Sequence, residues 1–192
     1  MDIGELRSRL KRAPPTFALF GDDGTEGRQD ASTAAAVLIP VVLHEELTVL
    51  FTQRTAHLKS HAGQVSFPGG RAEPGDASAE YTALREAEEE IGLPRERVEV
   101  LGRLPEYRTR TGFRVTPVIG VVAPPLALAP DPREVESVFE VPLAFLLEER
   151  NRERRTREFQ GLQVGYYVYE YQGHVIWGAT AGMLVNLHKM LA

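Results

Sequence analysis

Apolar residues recur along this chain with two different periods. Ile3, Leu6 and Leu10 fall at helical spacing, which predicts a short amphipathic helix over residues 2–12 that stops at the Pro14-Pro15 pair. Gly21 to Asp30 reads as a loop. Ala34 to Pro40 and Thr48 to Gln53 are rich in apolar and β-branched residues and flank the polar His44-Glu45-Glu46, the pattern of a hairpin. Residues 55–77 lack a period and contain Gly63, Pro68, Gly69, Gly70, Pro74 and Gly75, which predicts a long loop with an extended piece around Val65 and Phe67. Long ordered loops in compact domains are usually functional.

Ser78 to Ile91 is made of strong helix formers, with Asp76 or Ser78 to cap its start and Gly92 and Pro94 to end it. Strands are expected at 98–104, 114–122 and 164–171, and helices at 142–150 and 179–191. This interleaving predicts an α/β fold of the mixed-sheet α+β kind, with helices packed on the sheet, rather than a regular βαβ series. The run NRERRTRE at 151–158 reads as a solvated loop or helix end. Tyr166 and Trp177 read as core residues.

The chain has 192 residues, a length that suits a single domain spanning 1–192 with a real core. The apolar stretches at 34–42 and 115–122 are interrupted by Pro40 and Pro117 and fall short of the ~20 residues of a membrane helix, so no membrane partner is expected. The N-terminus lacks a secretory pattern, and a cytoplasmic location is the default expectation. With no cysteine, thiolate metal sites and cysteine nucleophiles are excluded. A net charge of −5 offers no footprint for nucleic acid. An acidic protein that handles phosphates must gather cations locally, from side chains or from bound metal.

On a wheel of about 100° per residue, Glu86, Glu89 and Glu90 share one arc, while Leu84, Ala87 and Ile91 gather roughly opposite. Each like-charge pair at this spacing costs a helix roughly 0.2–0.5 kcal/mol. Arg85 can pair with Glu89 but cannot neutralise three acids. A hard divalent cation such as Mg²⁺ or Mn²⁺ can, typically through one or two carboxylates plus substrate phosphates and water. By spacing alone, a solvated acidic face explains the same run.

The preceding loop changes that balance. GRAEPGD, from Gly70 to Asp76, followed after eight residues by REAEEEIGL, from Arg85 to Leu93, resembles the Nudix box, G-x5-E-x7-R-E-U-x-E-E-x-G-U with U apolar. The second half matches at every specified position. In the first half Asp76 stands where the pattern has Glu, and one extra residue precedes Arg85. The resemblance implies the Nudix fold, an α/β/α sandwich in which the box forms loop-helix-loop. It also implies hydrolysis of a nucleoside diphosphate linked to another moiety, with Mg²⁺ or Mn²⁺. Arg85, Glu86, Glu89 and Glu90 would form the catalytic set. Glu86 and Glu90 would be the main metal ligands, joined by Glu89 and the Gly70 carbonyl, and Arg85 would orient Glu89 and its neighbours.

LFTQRTAHLKSHAGQVSFPGG, from Leu50 to Gly70, resembles the further motif of the coenzyme A pyrophosphatase branch, L-L-T-x-R-[SA]-x3-R-x3-G-x3-F-P-G-G. Thr52, Arg54, Gly63 and Phe67 to Gly70 match, whereas Phe51, Thr55 and Lys59 depart. Thr111 to Pro117, Glu134 to Leu143 and Ile176 to Ala181 are similar to the same branch, although Ser137 stands where a second acid is expected. The resemblance implies cleavage of coenzyme A (CoA), or of its thioesters or oxidised forms, to 3′,5′-ADP and 4′-phosphopantetheine or its derivative. The 3′-phosphate of CoA calls for local donors. Arg54, Lys59, His61, Gln64 and Arg71 are the candidate substrate contacts, with Arg108, Arg110 and Arg114 behind them. Two other functions fit the box: hydrolysis of another nucleoside diphosphate such as ADP-ribose or NADH, and nucleotide sensing without cleavage. The sequence leaves the oligomeric state open.

Overall fold

The computed structural model describes residues 1–12, 33–57, 61–159 and 161–192. The Pro14-Pro15 stop, the loop expected at 21–30 and Lys59 lie outside the described residues. In chain order the elements are α1 (Ile3–Leu10), β1 (Thr33–Val42), β2 (Thr48–Arg54), β3 (Val65–Ser66), β4 (Gly69–Arg71) and α2 (Ala79–Ile91). There follow β5 (Val98–Arg103), β6 (Tyr107–Arg108), β7 (Phe113–Val122), β8 (Val135–Pro142), α3 (Leu143–Leu147), β9 (Arg152–Phe159), β10 (Leu162–Tyr171), β11 (His174–Trp177) and α4 (Gly178–Leu191).

β1 organises the molecule. It closes the expected hairpin with β2, Val41 opposite Val49, and runs parallel to β7 along its whole length, from Thr33 opposite Phe113 to Val42 opposite Val122. On the edge shared with β2, its first half pairs with β4, Ala35 opposite Arg71 and Val37 opposite Gly69. β8 adds to β2 and β5 to β7, which makes a mixed sheet of eight strands; β9, β10 and β11 form a second, three-stranded sheet.

Side chains on a strand alternate between faces. Ala36, Leu38 and Val42 therefore pack with Ala83, Ala87 and Ile91 of α2. Ala35, Ile39 and Val41 join the opposite core with Leu6 of α1 and Leu184, Leu187 and Leu191 of α4. The main sheet thus carries helices on both faces. Burying Ile91 contributes roughly 1.5–3 kcal/mol, which outweighs the few tenths that each like-charge pair costs on the other side of α2.

Some expectations need correction. The helix expected at 142–150 ends at Leu147 and is followed by one tight turn at Glu149–Asn151. NRERRTRE is a strand rather than a loop or helix end: its backbone pairs with β10, Arg155 opposite Tyr166 and Arg157 opposite Val164. Residues 69–71, within the stretch that glycines marked as loop, form β4. Tyr166 and Trp177 are only partly buried. Among the described residues no helix is long and apolar enough to cross a membrane.

Candidate active site

α2 is set in place at both ends. The Ser78 hydroxyl accepts from the Tyr81 N–H at 3.2 Å, and Gly92 closes the helix in the left-handed conformation, φ +66°, which few other residues adopt without cost. The last turn contains no basic residue. Instead the N–H groups of Ala129 and Asp131 donate to the carbonyls of Ile91 and Glu90, each at 2.9 Å, so the loop before β8 caps the acidic end of the helix.

Arg85, only 8% exposed, ties the preceding loop to α2. Its Nε and Nη2 donate to the two oxygens of Asp76 at 3.1 and 3.0 Å, and Nη2 also donates to the Arg71 carbonyl at 3.0 Å. Its Nη1 reaches Glu89 at 3.1 Å and Glu86 at 3.0 Å. Asp76 further accepts from the Glu73 N–H at 2.9 Å and the Thr82 hydroxyl at 2.8 Å. The Arg85 hydrogen bonds, with help from these donors, hold the Asp76 carboxyl well below the usual carboxylate range. Sequence reasoning saw Asp76 as a departure from a motif or a helix cap; in the fold Ser78 is the cap and Asp76 is the anchor of Arg85.

Glu86 and Glu90 lie together on the side of α2 that faces β4. Glu90, 6% exposed, accepts from the Gly69 N–H at 3.1 Å and stands 3.6 Å from Arg54 Nη1. Burial pushes its carboxyl up to about 7; the Gly69 N–H and Arg54 oppose the shift, and Glu134 and Glu86 add to it. Burial also raises Glu86, against the pull of Arg85 and with Glu89 and Glu134 adding to the rise. Gly70 lies so close that a Cβ there would come within 2.5 Å of the Glu86 carboxyl carbon. Any side chain at Gly70 would have to displace the Glu86 carboxylate, while a Cβ at Gly69 would strike the backbone of β1 at the Ala36 carbonyl oxygen.

The three carboxylates that share an arc of the wheel differ in setting, although Glu86 and Glu89 meet at the same Arg85 Nη1. The Glu89 side chain is 59% exposed and is drawn to Arg85, leaving Glu86 and Glu90 as the buried pair. Among the described residues no three acids or histidines close into a ready-made cage. Mg²⁺ does not need one, because waters and substrate phosphates complete its shell. Two hard-oxygen carboxylates, half buried or more and not fully neutralised, with a backbone strand against them, suit Mg²⁺ or Mn²⁺.

The residue that sequence reasoning missed is Glu134. The acid was expected at position 137, but β8 pairs with β2 so that Ser137 lies opposite Gln53, and the register shifts next to Arg54. The Thr55 N–H then donates to the Glu134 carbonyl at 3.0 Å, and the Glu134 carboxylate comes within 4.0 Å of Arg54. No local pattern signals it, since its partners lie far away in sequence.

A cavity of about 510 Å³ opens beside this face, reached at Gly69 and Gly70. Arg54, His61, Gln64 and Arg71 line it, so four of the five expected substrate contacts share one space. His61 bonds Gln64 at 2.8 Å, and the Arg71 guanidinium lies 5.1 Å above the Phe113 ring. Arg110 lines the cavity, whereas Arg108 and Arg114 do not; Arg114 pairs with Glu106 at 3.7 Å. Arg157 and Trp177 complete the wall, two residues that sequence reasoning had assigned to solvent and core.

The NUDIX domain family profile matches residues 32–165. The "Uncharacterized Nudix hydrolase NudL" of Photorhabdus laumondii is 45% identical over 185 residues, which covers 96% of this chain and 94% of that protein. The protein of the same name from Escherichia coli K12 is 44% identical over 153 residues, 80% of each. In fold the chain resembles the crystal structure of a C. elegans Ap4A hydrolase binary complex, with a TM-score of 0.50 at 18% identity over 57% of this chain and 80% of that one.

Proposed function

Given that the chain belongs to the Nudix family and is a Nudix hydrolase, we propose that it works as a single domain that cleaves the diphosphate of CoA. The products are 3′,5′-ADP and 4′-phosphopantetheine. The observation that carries this reading is the junction of two unlike spaces. The Glu86–Glu90 face adjoins, at Gly69 and Gly70, a cavity of a size common for ligand sites, lined by Arg54, Arg71, Arg110 and Arg157 in an acidic chain. Such a site suits a long substrate with several negative charges. The similarity of residues 50–70 to the CoA pyrophosphatase motif supports the same choice.

In this reading Glu86 and Glu90 hold Mg²⁺ or Mn²⁺, with the Gly70 carbonyl and Glu89 as further oxygen donors. When bound there, such an ion would neutralise phosphoryl oxygens and raise the fraction of hydroxide near neutral pH. Arg85 fixes the positions of Glu86 and Glu89 and joins them to the Asp76 loop. Arg54, which lines the cavity next to Glu90, would hold a diphosphate oxygen. His61, Gln64 and Arg71 line the path of the remaining substrate. Water adds to one phosphorus as the P–O bond to the other phosphate breaks, and a carboxylate on this face accepts the water's proton.

The test is a product analysis with CoA, dephospho-CoA, ADP-ribose and NADH in Mg²⁺ or Mn²⁺. CoA should have the highest kcat/KM. Faster cleavage of ADP-ribose or NADH would overturn the CoA assignment, and binding without cleavage of any of them would make the chain a sensor.

A further inference from the structure

We infer that the cavity has a second anion site, in which Arg110 and Arg157 hold a phosphate monoester remote from the diphosphate that is cleaved. The inference rests on the CoA reading and names the residues that would make the 3′-phosphate a criterion of selection.

Charge points to it first. In a chain of net charge −5, four arginines line the main cavity, and among the described residues no carboxylate does. A neutral or cationic ligand would not call for that distribution. The four arginines are also not equivalent. Arg54 is tied to the acidic face by Glu90 at 3.6 Å and Glu134 at 4.0 Å. Arg71 ends β4, and Arg85 grips its carbonyl. Both stand where the diphosphate would lie.

Arg110 and Arg157 are placed differently. A small recess of about 40 Å³ is lined by both, together with Tyr166, Trp177 and Gly178, and shares no residue with the Glu86–Glu90 face. The two guanidinium groups come from segments far apart in sequence. Arg110 sits in a turn closed by the Thr109 N–H, which donates to the Phe113 carbonyl at 2.9 Å, and by the Phe113 N–H, which donates to the Thr109 hydroxyl at 3.1 Å. Arg157 is carried on β9, and its guanidinium carbon lies 5.3 Å from the Trp177 ring centre and 5.7 Å from that of Tyr166. Those rings meet edge to face at 5.9 Å. Cation–π contact against two rings limits the freedom of a long side chain before any ligand arrives. A phosphate monoester, close to dianionic at neutral pH, suits a pair of guanidinium forks better than a diphosphate oxygen does. On sequence alone Arg54 and Lys59 stand first among the donors for the 3′-phosphate, with Arg110 behind them; the ion pairs of Arg54 with Glu90 and Glu134 favour the diphosphate as its partner.

The experiment compares CoA with dephospho-CoA, which differ only in that phosphate, in the wild type and in Arg110→Gln, Arg157→Gln and Arg157→Lys. In parallel, calorimetry measures binding of 3′,5′-ADP and 5′-AMP, which needs no turnover. The wild type should prefer CoA and should bind 3′,5′-ADP more tightly. Each Gln variant should narrow the CoA to dephospho-CoA ratio of kcat/KM by roughly ten- to a hundred-fold, mainly through KM, the size of one charge-assisted contact. Binding of 3′,5′-ADP should weaken by a similar factor, more than that of 5′-AMP, and Arg157→Lys should restore part of the loss. Equal losses on CoA and dephospho-CoA would overturn the inference while the CoA function stands. If the wild type leaves CoA intact, the CoA reading fails and the binding arm still decides: a 3′,5′-ADP preference abolished in Arg157→Gln keeps the anion site, and equal binding of the two nucleotides removes it.

Discussion

Glu90 carries its carboxylate in a place where solvent gives it little support, with Glu86 on the same face and Glu134 across Arg54. Its raised pKa has a definite sign for stability. Below its ordinary value of 4.5 the group is neutral whether the chain is folded or not, and its contribution is fully present. That contribution is lost as the pH climbs toward about 7, on the order of 3 kcal/mol over that window. Without metal, Glu90→Gln should therefore melt higher than the wild type at pH 8 and no higher near pH 4.5. With metal, the same variant and Glu86→Gln should lose turnover by orders of magnitude. A Glu90→Gln protein that melts lower at pH 8 would show that the Gly69 bond needs the charge. Asp76 has the opposite sign. Its carboxyl is held low by Arg85, so its contribution is present above the ordinary 3.8 and is lost as acid takes the pH down through the folded value. Asp76→Asn should lower the melting temperature most at neutral pH and least in strong acid. It should also cut turnover about ten-fold, because Arg85 then positions Glu86 and Glu89 less firmly.

Between elements, the contact of β4 with α2 is the one that builds the site. Gly70→Ala would force a methyl group against the Glu86 carboxylate, and the expected outcome is at least a ten-fold fall in kcat with β4 still paired to β1. Wild-type kcat in that variant would show that the Glu86 carboxylate can move without consequence. The elements differ in how far sequence reveals them. α2 was legible because its cap, its left-handed terminator and its apolar face all agree, and β1 and β2 because both are apolar and join in a hairpin. β9 was not: both of its faces carry charges, its ladder with β10 is formed by backbone groups, and hydrophobic period is silent about backbone pairing. β4 was hidden by the very glycines that let it approach α2. The site divides in the same way. Arg85, Glu86, Glu89 and Glu90 follow from helix spacing and motif, whereas Glu134 and Arg157 reach it only through strand register and long-range folding.

For the molecule as a whole, the segment from His61 to Arg71 joins β2 to the carboxylate face and lines the cavity. Adding Mg²⁺ and a non-hydrolysable CoA analogue should slow its amide hydrogen exchange; unchanged exchange there would place the substrate elsewhere. The parallel pairing of β1 with β7 has a consequence in time. The two strands lie more than 70 residues apart, and α2 with all its carboxylates belongs to the span that their pairing closes. Local helix can form in microseconds, but a contact of that separation must first meet the entropy of closing a long loop. In refolding from denaturant, helical circular dichroism should return before hydrolysis does. A ribosome-bound chain that stops short of Phe113 should carry the whole Glu86–Glu90 motif and still be inert, because the wall against which those side chains are set has not yet been made.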